Sequence, residues 1–177
     1  TAEEIQQLAA TKCSNEFVKR AFLFACFTGL GMAEIKQLKW KDIDLNKKML
    51  TYGRSKTKIG TEVNLAQNAI AVLYGIDQTT SKVFDSFKIP TNEGINKVLK
   101  YWVKSAGISK HITFYCARHS FGSLILRGSK NLKLTADLMG HTSTRYTTLY
   151  TTVLKDEKED TINVIDQKSI GAVDFGT

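Results

Sequence analysis

The sequence predicts a mainly α fold with a small antiparallel β-sheet (α+β), and three observations predict it. Apolar residues recur at helical spacing through most of the chain. Between Met49 and Leu65 the character changes to short runs that read as strands around a basic turn. Glycines and capping residues (Thr1, Asn15, Gly75, Thr91, Gly107, Gly140) stand at the joints between the helical runs. With 177 residues, 42% of them hydrophobic, and a single proline, the chain is long enough for one buried core and too apolar to be disordered. We therefore expect a single domain over residues 1–177.

Thr1-Ala2-Glu3-Glu4 forms a capping box, so a short helix runs to about Ala10. Asn15 caps a second helix in which Phe17, Ala21, Phe24 and Ala25 share a face that Val18 and Phe22 widen, the mark of a central core helix. Gly29 and Gly31 interrupt it, Met32 to Leu38 restarts a helix, and Trp40 closes the corner. Met49-Leu50-Thr51-Tyr52 and Thr61 to Leu65 are read as two strands around the cationic tip Arg54 to Lys58. Asn68 to Tyr74 returns to helix and Gly75 stops it; Val83-Phe84 adds a further strand ahead of Pro90. Thr91 caps a long helix that buries Ile95, Val98, Leu99, Trp102 and Val103 and ends at Gly107. Thr113 caps the next, with Phe114, Ala117, Phe121 and Leu124 on one face and Arg118 beside that stripe. Leu132 to Met139 is a short helix stopped by Gly140, and Lys155 to Ile165 reads as a final charged helix.

The charge balance, 25 Lys+Arg against 17 Asp+Glu for a net +8, makes polyanions the natural partner. Charge alone does not decide between such a partner and a basic domain that binds nothing acidic. The three cysteines are widely separated and lack the close pairs of a zinc or redox site, so a reduced, cytoplasmic protein is the simplest reading. Cys26 and Cys116 lie in apolar runs and are expected in the core. The longest apolar run, Ala21 to Phe27, is too short to span a bilayer, and no signal peptide opens the chain.

Chemistry concentrates in the last third of the chain. Arg118-His119-Ser120-Phe121, then Leu138-Met139-Gly140-His141, then Tyr150 place an arginine, a histidine and a phenol in fixed order. An arginine forks to two phosphate oxygens, a histidine donates or accepts a proton, and a tyrosine hydroxyl can attack phosphorus. Together they point to phosphoryl transfer.

These residues resemble the catalytic domain of the tyrosine recombinase family, also called phage integrases. Thr28-Gly29-Leu30 with Glu34-Ile35, Leu38 and Trp40-Lys41-Asp42-Ile43 resembles the first box, and Lys56-Thr57 resembles the hairpin lysine. Arg118-His119-Ser120-Phe121 resembles the second arginine box, and Gly140-His141-Thr142-Ser143 with Tyr150 the last. The resemblance implies that fold, and attack of the Tyr150 hydroxyl on a DNA phosphodiester to leave a 3′-phosphotyrosine and a free 5′-hydroxyl. It implies neither metal nor nucleotide cofactor. Double-stranded DNA is the implied partner, with a homotetramer on synapsed DNA, as in a recombinase of a phage, transposon or other mobile genetic element. Arg118 would then clamp the scissile phosphate, His141 would donate to it, and Lys56, or Lys58 in its place, would protonate the leaving oxygen. Tyr146 falls short of the family spacing and is read as a packing residue. His119 points about 100° away from Arg118 around the helix, toward packing, and Glu34 orients its neighbours. Nothing in the chain matches the family's N-terminal DNA-binding domain, so a C-terminal fragment of a longer recombinase is expected.

Two positions depart from the pattern. Gly31 stands where the family has its first phosphate-clamping arginine, and Tyr115 stands where a histidine is usual. Tyr115 either hydrogen-bonds the phosphate through its hydroxyl or packs in the core. For Gly31 three explanations are open: Arg54, Arg20 or Arg145 fills the gap, the change disables the site, or the protein is a DNA-binding relative that has lost catalysis. A type IB topoisomerase-like enzyme shares the chemistry and is the remaining alternative.

Overall fold

Asn15 accepts a hydrogen bond from the Val18 N–H and starts the helix around which the molecule is built, Glu16–Thr28 (α2). Before it lies Ala2–Ala10 (α1), whose capping box between Thr1 and Glu4 forms as the sequence predicts. The computed structural model describes residues 1–53, 60–85 and 91–140. After α2 come Met32–Gln37 (α3), a single 3-10 turn at Trp40–Asp42, and the strands Ile43–Asp44 (β1), Met49–Gly53 (β2) and Gly60–Asn64 (β3). Four helices follow: Gln67–Leu73 (α4), Asn92–Ser105 (α5), Tyr115–Ser129 (α6) and Leu132–Met139 (α7). The mainly helical fold with a small antiparallel sheet is the one the sequence predicts.

Helix α2 is buried on nearly every side because its middle, Ala21 through Cys26, has no polar side chain to present to water. Around it pack α4, α5, α6 and the sheet. Phe22 meets the rings of Trp102 and Phe114 edge-on at 5.9 and 5.8 Å, and Phe24 lies 5.7 Å from Phe84. Each such fully buried side chain contributes roughly 1.5–3 kcal/mol relative to exposure. A smaller cluster of Phe121, Leu126 and Met139 joins α6 to α7, so the element bearing Arg118 is held from two sides.

The sheet runs β1-β2-β3, all antiparallel, with Leu50 opposite Ile43 on one side and Val63 on the other. Leu50 and Tyr52 turn into the core while Thr51 faces out, the alternation that identifies β2 in sequence. Gly53 pairs with Gly60, the last register pair between β2 and β3. Lys56, Lys58 and Arg54, between these strands in sequence, lie outside the described residues.

Several local expectations are corrected. Strand β1 is too short to leave a periodic signal. Val83-Phe84 is no strand: Lys82 forms an isolated bridge with Lys39, and both apolar residues are buried because the segment lies across the core. Thr113 does not cap α6 with its hydroxyl; Phe114 takes the N-cap position and donates its N–H to the Asn96 side chain of α5. Cys116 is half-buried, whereas Cys13, like Cys26, is buried. Cys116 stands in the first turn of α6, one position from the buried stripe, whereas Cys13 is folded inward by the turn between α1 and α2. Among the described residues no helix is long and apolar enough to cross a membrane. The expected helix Lys155 to Ile165 lies outside the described residues.

Candidate functional site

Three parts of the chain meet at Arg118. It stands in the first turn of α6, half-buried between Ala117 and the rest of the solvent-facing side. One terminal nitrogen of its guanidinium donates to the Gly29 carbonyl at 2.6 Å and the other to the Met139 carbonyl at 2.6 Å. Both acceptors are helix C-termini: Gly29 caps α2 and Met139 is the last residue of α7. Unsatisfied carbonyls and the negative end of the helix dipole gather there, which makes a cation the favoured partner. Hydrogen bonds of this charge-assisted kind contribute about 1.5–3 kcal/mol each. The remaining N–H donors of Arg118 have no hydrogen-bond partner among the described residues, and the planar guanidinium, held through both terminal nitrogens, keeps them in one plane.

Glycine is required at 29 for two reasons that coincide. Its φ is +71°, and a Cβ there would stand 2.5 Å from the Phe121 ring of α6. The close approach is what brings the Gly29 carbonyl to Arg118. Gly29→Ala combines left-handed strain with overpacking and is expected to cost roughly 2–4 kcal/mol. Thermal unfolding should report a Tm lower by roughly 5–10 °C; an unchanged Tm would show that α2 and α6 can part without loss.

Gly140 plays the corresponding role at the end of α7. In the left-handed conformation at φ +56°, it donates its N–H back to Asp137 at 2.8 Å and stops the helix. His141 is the next residue in sequence, two positions after the Met139 carbonyl that Arg118 holds. His141 itself, Tyr146 and Tyr150 lie outside the described residues.

Gly31 is the N-cap of α3 in ordinary extended backbone, φ −83° and ψ 174°. A Cβ there would meet only the tip of the Glu34 side chain, whose Oε2 lies 2.7 Å away. That tip is the free end of a flexible side chain and can swing aside, so nothing in the backbone excludes a larger residue. Glu34 also lines a cleft of about 250 Å³ between α3 and β2, with Asp42, Tyr52 and Gly53 on its other walls. Of the arginines expected to fill the gap, Arg20 is committed elsewhere: it donates to the Val72 and Tyr74 carbonyls and pairs with Glu16 at the opposite end of α2. Arg54 and Arg145 lie outside the described residues.

Tyr115 is not a core residue. As the first residue of α6 it is 65% exposed, one turn from Arg118. Its ring meets that of His119 edge-to-face, with centroids 4.6 Å apart and planes at 86°. Burial, and after it the charge of Arg118, push the His119 pKa below the ordinary histidine value, so the imidazole is neutral at pH 7. Cys26 is chemically quiet, since burial pushes its thiol pKa up.

Sequence reasoning finds Arg118 but not its anchors. Main-chain carbonyls carry no residue signature, and those of Gly29 and Met139 are 89 and 21 positions away. The pairing of Tyr115 with His119 has a faint signal in their four-residue spacing, which puts them on one helical face.

Comparison with known proteins bears on this arrangement. The profile of the phage integrase family matches residues 1–157. A tyrosine recombinase of Thermosipho africanus is 29% identical over 168 residues, covering 92% of this chain and 59% of that protein. The chain thus spans 59% of the length of that protein and of a second tyrosine recombinase, from Pseudothermotoga lettingae. The XerA recombinase structure superposes with a TM-score of 0.73 at 22% identity, over 91% of this chain and 64% of that one. A XerH site-specific recombinase bound to its palindromic difH substrate in a post-cleavage complex gives 0.70 at 19% identity, over 92% and 50% of the respective chains. At these identities the superpositions speak for the fold.

Proposed function

Because the chain belongs to the phage integrase family, we propose that it is the catalytic portion of a site-specific recombinase that cuts and rejoins double-stranded DNA through Tyr150. The observation that carries this reading is Arg118. A half-buried guanidinium braced on two helix ends, with donors left over, is suited to hold a phosphate whose charge rises during reaction. The net charge of +8 supplies the attraction that DNA binding needs, and the XerH relative is described in complex with a DNA substrate.

In the proposed step the Tyr150 oxygen attacks phosphorus and the bond to the 5′-oxygen breaks. The phenolic proton passes to a base or to solvent, and Lys56 returns a proton to the departing 5′-oxygen, leaving a free hydroxyl. His141 donates to a nonbridging oxygen, and the Tyr115 hydroxyl adds a further donor from the exposed start of α6. A 5′-hydroxyl of another strand then displaces Tyr150 and restores the diester. The protein ends the cycle as it began. Exchange between two duplexes needs several active sites, so a homotetramer on synapsed DNA, encoded by a phage or transposable element, is part of the proposal.

The test is a nicked duplex from which the released 5′-end diffuses away, so that the covalent complex accumulates. Peptide mapping of that complex should find the DNA on Tyr150. A DNA-bound peptide lacking Tyr150, or affinity that does not respond to salt, would overturn the reading.

Gly31 favours one second reading, a DNA-binding relative with impaired chemistry. The two are separated by Gly31→Arg, which the backbone accommodates once Glu34 swings aside and pairs with the new guanidinium. Restoring one phosphate donor in a desolvated site is expected to raise the rate of covalent-complex formation about a hundredfold. An unchanged rate in a chain that already forms the complex would mean that another cation occupies the place.

A further inference from the structure

Tyr115 presents a problem that the proposed chemistry does not resolve by itself. An aromatic side chain that is 65% exposed samples its rotamers on the picosecond to nanosecond scale, and a hydroxyl at its end is poorly placed for a phosphate. Among the described residues, the ring of Tyr115 meets that of His119, edge-to-face at 4.6 Å, one helical turn further along α6. His119 is itself half-buried and therefore much less free than the tyrosine.

We infer that His119 is a positioning residue that holds the Tyr115 ring so that its hydroxyl meets the same phosphate as Arg118. The inference rests on the reading of the site as a DNA-phosphate clamp. The helix supplies the geometry: residues 115, 118 and 119 lie within one turn and one side, with Arg118 and His119 on either flank of Tyr115. The T-shaped contact between the rings supplies the restraint, since an edge of one ring against the face of the other is the arrangement that aromatic quadrupoles favour. Protonation state fits the task as well. Burial and Arg118 keep the imidazole neutral near pH 7, so it meets Tyr115 as a ring and leaves the positive charge of the clamp on the guanidinium.

The contact distinguishes positioning from plain support, because its effect must pass through the Tyr115 hydroxyl. His119→Ala is expected to slow covalent-complex formation roughly tenfold while DNA affinity stays within about twofold. His119→Phe, which keeps a ring at the same place, should recover most of the loss. In a Tyr115→Phe background, where no hydroxyl remains to be placed, His119→Ala should add less than about twofold. An equal loss in both backgrounds, no recovery with phenylalanine, or a Tyr115→Phe variant as fast as the parent would each overturn the inference. A second measurement does not depend on turnover. With 3-fluorotyrosine at position 115, the fluorine resonance should move when duplex DNA is added to the parent chain and move far less in His119→Ala. Equal movement in both, or none in the parent, again rejects the role of His119. If DNA moves the resonance as expected but no covalent complex ever forms, it is the recombinase chemistry that fails and the positioning that stands.

Discussion

Tyr150→Phe is expected to form no covalent complex with DNA while binding the duplex within about twofold of the parent chain. The substitution removes a single oxygen, the atom proposed to attack phosphorus, and keeps the aromatic ring. In-line attack needs the nucleophile about 3–3.5 Å from phosphorus, a requirement the proposal assigns to the Tyr150 hydroxyl alone. Tyr146 is the internal control: it is a phenol in the same segment, and Tyr146→Phe should leave the rate near that of the parent. A free phenol has a pKa near 10, so at neutral pH the parent's rate should rise with pH as the phenolate becomes accessible. Gel shift after denaturation reads the adduct, and equilibrium binding before denaturation reads affinity. A stable adduct in Tyr150→Phe would remove Tyr150 from the mechanism.

Arg118→Lys carries the second largest effect, a loss of about a thousandfold in covalent-complex formation with fold and DNA affinity largely kept. The reason is geometric rather than electrostatic, because the charge is retained. Arg118 reaches the Gly29 and Met139 carbonyls at once, each at 2.6 Å, and still has donors to spare. A lysine ammonium is one point on a flexible stem. It can satisfy one carbonyl or approach the phosphate, but it cannot brace α2 and α7 while presenting a planar fork. Losing a phosphate donor that strengthens in the transition state costs about 3–4 kcal/mol, and the looser geometry adds to it. Stability should fall by only about 1–2 kcal/mol, since one carbonyl acceptor is left unpaired. A lysine variant within tenfold of the parent would show that charge alone is what the position supplies.

These expectations separate what each level of description reveals. The helices were legible because their signals are local: Thr1, Asn15 and Thr91 each lie just before their helical run and cap it in the structure. The strands β2 and β3 were legible for the same reason, by alternation around a cationic turn. Where sequence and structure differ, a distant contact decides the outcome. At the start of α6, Thr113 gives no side-chain cap, and Asn96 of α5 accepts the N–H of the N-cap residue Phe114. Val83 and Phe84 looked like a strand because a segment buried against Phe24 needs the same apolar residues as a strand does.

The candidate site divides in the same way. Arg118, His141, Tyr150 and Lys56 stand out in sequence because the chemistry of phosphate needs those side chains in that order. Gly31 stands out because an arginine is expected there. By itself, the sequence determined the helical class, the caps, the order of the boxes and the departure at Gly31, all properties of neighbouring residues or of residue identity. Only the tertiary structure decided that Arg118 is braced by carbonyls of two helix ends, that Tyr115 is exposed and set against His119, and that Arg20 serves α4 instead of the gap at Gly31. The physical reason is that main-chain acceptors and ring contacts have no residue code. They arise when packing brings together parts of the chain as far apart as Gly29 and Arg118.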